Sequence, residues 1–176
     1  MNNSNRQILA VLAFLAGSGA LAATAETRVD AKADWSVFKA ASGAKECWIV
    51  SAPTSWIGKR SGRDVTKDVA RGDILFMVSV RPGENVKNEI SYNAGYPFKK
   101  DGTVNVKIGS GSFELFTEGE WGWTRSPDHD DEVVAAMKKG AVAIVTGQSQ
   151  RGTETIDTFS LKGFTAALEA AQDLCK

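Results

Sequence analysis

The chain has 176 residues, and its 21 lysines and arginines balance 21 aspartates and glutamates, for a formal net charge of zero. That balance does nothing to recommend nucleic acid, and none is expected as a partner; the length suits one ordinary domain with a real hydrophobic core rather than two. One histidine and two cysteines leave little material for a metal centre built on imidazole or thiolate.

The opening segment has the three parts of a secretory leader: a polar stretch carrying Arg6, an apolar run from Ile8 to Leu15, and small residues ending in Ala23-Thr24-Ala25. Cleavage after Ala25 is expected, which makes 1–25 a signal peptide and the remainder periplasmic or secreted. Gly17 and Gly19 break the apolar run short of the ~20 residues a spanning helix needs, so no integral membrane anchor is expected. In an oxidising compartment Cys47 and Cys175 read as one disulfide. Closing so long a loop is credited with ~5 kcal/mol by the chain-entropy model, a figure that native-state strain erodes. A thiolate metal site or a redox pair is the competing reading, and the wide separation, the single histidine and the missing C-x-x-C spacing work against both.

Residues 26–34 are polar and mixed in charge and predict a flexible tail; a single domain over 35–176 follows. Trp35 to Phe38 and Cys47 to Val50 are rich in aromatic and β-branched residues, with a turn signal at Ser42-Gly43, and predict a strand pair. Ser55 to Arg71 turns basic and glycine-punctuated, predicting a long exposed loop or ragged hairpin. Ile74 to Val80 is an apolar run stopped by Arg81-Pro82-Gly83, hence a buried strand. Val86 to Tyr92 reads as a half-buried strand, and Val104, Val106 and Ile108 alternate with Asn105 and Lys107 as one face in and one face out. Gly109 to Gly111 turns that strand into Ser112 to Phe116.

A helix announces itself at Ser126, which caps it, with Pro127 in its first position, Asp128, Asp130, Asp131 and Glu132 at its positive end, and Lys138, Lys139 and Gly140 closing it. Val142 to Val145 and Thr153 to Leu161 supply two further strands. A last helix starts near Gly163, where Phe164, Leu168, Ala171 and Cys175 form one stripe that carries the thiol back toward Cys47. The expected fold is mainly β: a β-sandwich or partly closed barrel of about seven to nine short antiparallel strands, with one internal helix and a C-terminal helix.

Several strings resemble the invasion-associated locus B family of exported bacterial proteins, covering nearly all of Trp35 to Cys175. They are Trp35-Ser-Val-Phe, Cys47-Trp-Ile-Val-Ser-Ala-Pro53, Arg71-Gly-Asp-Ile-Leu, Gly95-Tyr-Pro-Phe98, Phe113-Glu-Leu-Phe-Thr-Glu-Gly-Glu-Trp121, and Asp157 through Leu168. The resemblance implies a periplasmic or secreted β-sandwich without known catalytic residues. The family takes its name from host-cell invasion by one intracellular pathogen.

No catalytic, cofactor-binding or metal-ligating residue is expected. His129 sits among carboxylates that fan around a helical first turn, where the helix dipole accounts for them better than a cation does, and no G-x-S-x-G elbow accompanies it. Gly58-Lys59-Arg60-Ser61 lacks the leading glycine of a phosphate loop, because Pro53 stands there. Trp121 and Trp123, joined by Tyr96 and Phe98, form the candidate binding surface for a peptide or glycan, against the plainer reading that tryptophans plug the end of the sandwich. Lys59, Arg60, Arg63, Lys67 and Arg71 form a candidate basic patch for anionic lipid or lipopolysaccharide, against a merely solvated loop. These features favour a non-enzymatic envelope protein that binds another protein or a cell-surface component. A periplasmic carrier of a small apolar ligand is the alternative, and a hydrolase the weakest one.

Overall fold

The structure, a computed structural model, describes residues 26–176 apart from Ser42 and Ala44. The expected signal peptide therefore lies outside the described residues, as does part of the expected turn at Ser42-Gly43. Among the described residues twelve strands occur in chain order with two α-helices: β1 (Glu26–Lys32), β2 (Trp35–Ala40), β3 (Cys47–Ser51), β4 (Ser55–Arg60), β5 (Arg63–Asp64), β6 (Leu75–Arg81), β7 (Val86–Asn93), β8 (Thr103–Ile108), β9 (Gly111–Glu118), β10 (Trp121–Trp123), α1 (Pro127–Lys139), β11 (Val142–Gln148), β12 (Glu154–Ser160) and α2 (Phe164–Leu174).

All pairings are antiparallel, in the order β1-β2-β3-β6-β7-β10-β9-β8-β11-β12-β4-β5. The two halves of this long sheet face each other. Phe76 of β6 and Tyr92 of β7 meet Phe159 of β12 at 5.4 and 6.2 Å between ring centroids, and the Trp35 indole N–H of β2 donates to the Ser160 carbonyl at 3.0 Å. The result is the sandwich-like, mainly β fold expected, with more strands than expected.

The additional strands have local causes. β5 and β10 are two and three residues long, below what alternation in sequence reveals. The segment expected as a flexible tail instead contains β1, which pairs with β2 from Glu26↔Ala40 to Lys32↔Trp35. Thr27 to Asp30 are exposed, so this strand is held by backbone pairing and carries no apolar face to betray it. Of the two forms expected between Ser55 and Arg71, the ragged hairpin holds: β4 turns into β5 while its other edge pairs with β12.

The core follows the two-residue period of the strands. Val104, Val106 and Ile108 of β8 point in, as do Phe76, Val78 and Val80 of β6, Ile90 and Tyr92 of β7, and Ala143 and Val145 of β11. α1 begins as its sequence predicts, with Ser126 Oγ accepting the His129 N–H at 3.4 Å, and it buries Val133, Val134 and Met137. α2 buries Phe164, Ala167, Leu168 and Ala171 over β2 and β3 and brings Cys175 to Cys47, with Cα atoms 6.0 Å apart and the disulfide formed. Gly163, which leads into α2, has φ +89°, and a Cβ there would fall 2.0 Å from the Lys32 carbonyl oxygen. Only glycine lets the helix start against the β1–β2 turn.

Candidate functional site

Two polar and aromatic assemblies stand out, one closed and one open. The closed one is built on Arg71, in the segment before β6, and Asp157, on the inward face of β12. Their side chains are 2% and 0% exposed and form a two-pronged ion pair at 2.6 and 2.8 Å. The Arg71 guanidinium also donates to the Ala94 carbonyl from Nε at 3.0 Å and from Nη2 at 2.8 Å. Tyr92 completes the set: its hydroxyl donates to Asp157 and accepts from Arg71. The guanidinium carbon lies 4.9 Å from the Trp56 ring centroid and 5.0 Å from that of Tyr96, cation–π distances on a desolvated charge.

Burial alone would lower the Arg71 pKa; the hydrogen bonds and charge of Asp157 outweigh it and hold the guanidinium raised and ionised. Burial drives the Tyr92 phenol upward, reinforced by the Asp157 charge, and pushes Tyr96 up to about 12. The backbone fits around this node through Gly95, whose φ is +66° and whose Cβ would come within 2.6 Å of the Gly72 carbonyl oxygen. The strings Arg71-Gly, Gly95-Tyr and Asp157 thus converge from three parts of the chain.

The node corrects two expectations. Arg71 does not belong to a basic patch, because its charge is spent inside the protein on Asp157. Tyr96 and Phe98 do not join the tryptophans: both are 8% exposed, Tyr96 exchanges a 2.6 Å hydrogen bond with Thr155, and Phe98 packs on Tyr92 and Tyr96. A proline between two aromatics reads equally well as a surface turn or a core plug, and only β12 decides it. The other basic residues, Lys59, Arg60, Arg63 and Lys67, are exposed on β4, β5 and the turn after them, with Arg60 donating to Thr153 Oγ1 at 2.6 Å. Cations on an edge hairpin discourage pairing with another sheet.

The open assembly lies on the outer surface. Trp121 and Trp123 share a face of β10, as positions two apart must, and stack at 6.2 Å with 20° between planes. Both are half-buried. Trp123 stands opposite Phe116 of β9 at 5.8 Å, and Arg125 lies over the Phe116 ring, also at 5.8 Å. Phe116 therefore extends the shelf; its parity against buried Leu115 was the signal that placed it outward. Trp123 and Phe116 form one wall of a groove of about 760 Å³, within the range of ligand sites. The other walls are Glu84 to Glu89 and the first turn of α1.

The acids of that turn do more than meet the helix dipole. Asp130 accepts the Ile90 N–H of β7 at 2.8 Å and the Thr124 hydroxyl, and Asp131 accepts from the Asn88 side chain at 2.8 Å. Partial burial raises the Asp130 pKa against those hydrogen bonds. His129 is exposed, and among the described residues no three His, Cys, Asp or Glu side chains converge to hold a metal ion.

The family model described as invasion associated locus B (IalB) protein matches residues 35–172. A crystal structure of invasion associated protein B from Bartonella henselae superposes with a TM-score of 0.56 at 16% identity, over 82% of this chain and 96% of that one. At that identity the likeness is one of fold. No curated protein sequence matches the chain. The family match spans β2 to β12, the buried node and all but the end of α2, and the chain belongs to the invasion-associated locus B family.

Proposed function

We propose that the protein is an exported, non-enzymatic envelope protein that binds another protein or a cell-surface component through the outer face around Trp121 and Trp123. The observation that carries this reading is the contrast in satisfaction. Every buried side-chain nitrogen and oxygen among the described residues has a hydrogen-bond partner, whereas Phe116 and Trp123, both half-exposed, line one groove with Trp121 stacked beside Trp123. Aromatics with a polar rim are what protein contacts use as anchors. Export is supported by the disulfide and by the leader-like residues 1–25. Among the described residues no helix is long and apolar enough to cross a membrane.

The carrier alternative gains little from the interior. Trp35, Phe76, Tyr92, Phe159 and Phe164 occupy the space between the half-sheets in successive ring contacts of 5.0 to 6.5 Å. The groove that does exist lies outside them and has a charged rim.

Two measurements test the proposal. Intact mass of the protein recovered from the cell envelope, with and without reductant, reports cleavage after Ala25 and the oxidised pair together; a retained leader or free thiols would remove the export reading. A photoreactive residue at position 121 should then crosslink a discrete partner in the envelope, and one at Lys107 on β8 should not. Equal labelling from both positions, or from neither, would remove the binding face.

A further inference from the structure

The groove beside Trp123 has an unpaired strand edge for its floor. β7 is flanked by β6 along its length, but β10 covers only Ser91 to Asn93 on the other side. Trp123 is the last residue of β10 to pair with either β7 or β9, and beyond it the Arg125 side chain reaches over β9 to Glu114 and the Phe116 ring. Ile90 turns its N–H away from β6, to Asp130. Strand parity carried one step from Ile90 assigns Asn88 the same direction, just ahead of the register shift that sets Val86 rather than Lys87 opposite Arg81. Among the described residues no backbone hydrogen bond serves Asn88 on that side, and Val86 to Glu89 line the groove. Asp130 thus imitates one rung of a missing strand and the next rungs are vacant.

We propose that this edge takes an extended, cationic peptide segment of a partner protein by strand addition, alongside Val86 to Glu89 and against the Trp123 and Phe116 rings. The inference rests on the binding reading above and names the partner chemistry. Backbone pairing supplies the affinity in such contacts, and side-chain pockets supply the choice. Charge decides the occupant. Glu84 and Glu89 share Arg81 at 2.9 Å each, and Arg125 lies near Glu114, while Glu118, Asp128 and Asp131 have no cation within ion-pair reach among the described residues. Lys87 is the one groove-lining cation without an acidic partner there. The acids of the first turn of α1 would suit its dipole with no ligand at all. Their placement along a vacant strand edge, across from an aromatic wall that attracts cations, selects lysine or arginine side chains on the incoming strand.

The test uses the purified, disulfide-bonded protein labelled for amide spectroscopy, and a capped peptide of about six alternating lysines and valines, long enough to span Val86 to Glu89. The Asn88 amide should shift most on titration and its exchange should slow by about tenfold or more when the site is filled. Methylating every second peptide nitrogen should weaken binding by about tenfold, and so should the double variant Glu118→Lys, Asp128→Lys. An alternating glutamate and valine peptide should leave Asn88 unmoved. Equal binding of the methylated peptide, shifts that avoid Asn88, or a response only to anionic phospholipid vesicles would each overturn strand addition. If position 121 still crosslinks a partner while no peptide moves Asn88, strand addition falls and the binding face stands. Loss of both removes the parent reading.

Discussion

The Arg71 node and the β7 groove are made of the same materials, charged groups beside aromatic rings, and differ in closure. In the node each polar group has its partner within the chain, the ion pair is nearly sealed from water, and Ala94, Tyr92, Trp56 and Tyr96 saturate the guanidinium. In the groove the carboxylates outnumber their cations, a strand edge ends early, and the rings stand half-exposed. A satisfied polar cluster fixes geometry; an unsatisfied one at a surface invites a partner.

The comparison breaks most readily at the node. Arg71→Ala leaves Asp157 charged and buried without its partner, and should lower the unfolding free energy by ~3–5 kcal/mol in a denaturant titration. Replacing both members with apolar residues should cost clearly less than the single change, because no orphan charge remains. A single change costing under about 1 kcal/mol would show the node to be solvated. At the groove, Asp130→Ala strands the Ile90 N–H and the Thr124 hydroxyl, for an expected loss of ~1–3 kcal/mol, whereas Asp130→Asn keeps an accepting oxygen and should cost less.

The alkaline response sharpens the contrast further. The two tyrosines of the chain, Tyr92 and Tyr96, both belong to the node, and burial raises both above the ordinary 10.0, Tyr96 to about 12. A raised phenol means that the folded state holds the proton longer than the unfolded chain. This contribution to stability is complete below about pH 10 and is lost as pH climbs toward 12. Tyrosinate absorbance should therefore appear only together with unfolding. Two phenols that ionise near 10 in an intact fold would place the node in water. The smallest effect on stability belongs to the shelf: Trp121→Ala and Trp123→Ala should each cost no more than ~1.5 kcal/mol, the scale of an aromatic pair, while abolishing the crosslink from the outer face.

Much of this fold was legible locally. Alternation in Val104 to Ile108 gave β8 and its inward face, and the cap, proline and acids from Ser126 onward gave α1. The disulfide was legible because two cysteines in an oxidising compartment have one solution. β1 was not, because an edge strand with polar side chains leaves no periodic trace. The pairing of Trp121 with Trp123 followed from positions two apart. The node did not, since Arg71 and Asp157 lie 86 residues apart and a buried ion pair is decided by tertiary packing alone. The groove was invisible for a different reason: a vacant backbone edge depends on where a neighbouring strand stops, and no residue type encodes that.

Amide hydrogen exchange of the unliganded, disulfide-bonded protein tests the closed and open regions side by side. Within β7, Ile90 is held by Asp130, and Glu89 and Ser91 face β6, so these three should exchange only with global unfolding, as should the Gly72 amide bonded to Gly95 at 2.8 Å. Asn88, on the same strand, should exchange faster by about two orders of magnitude or more. Protection of Asn88 equal to that of Ile90 would mean that the edge is already filled, and the account of an open recognition site beside a closed node would be contradicted.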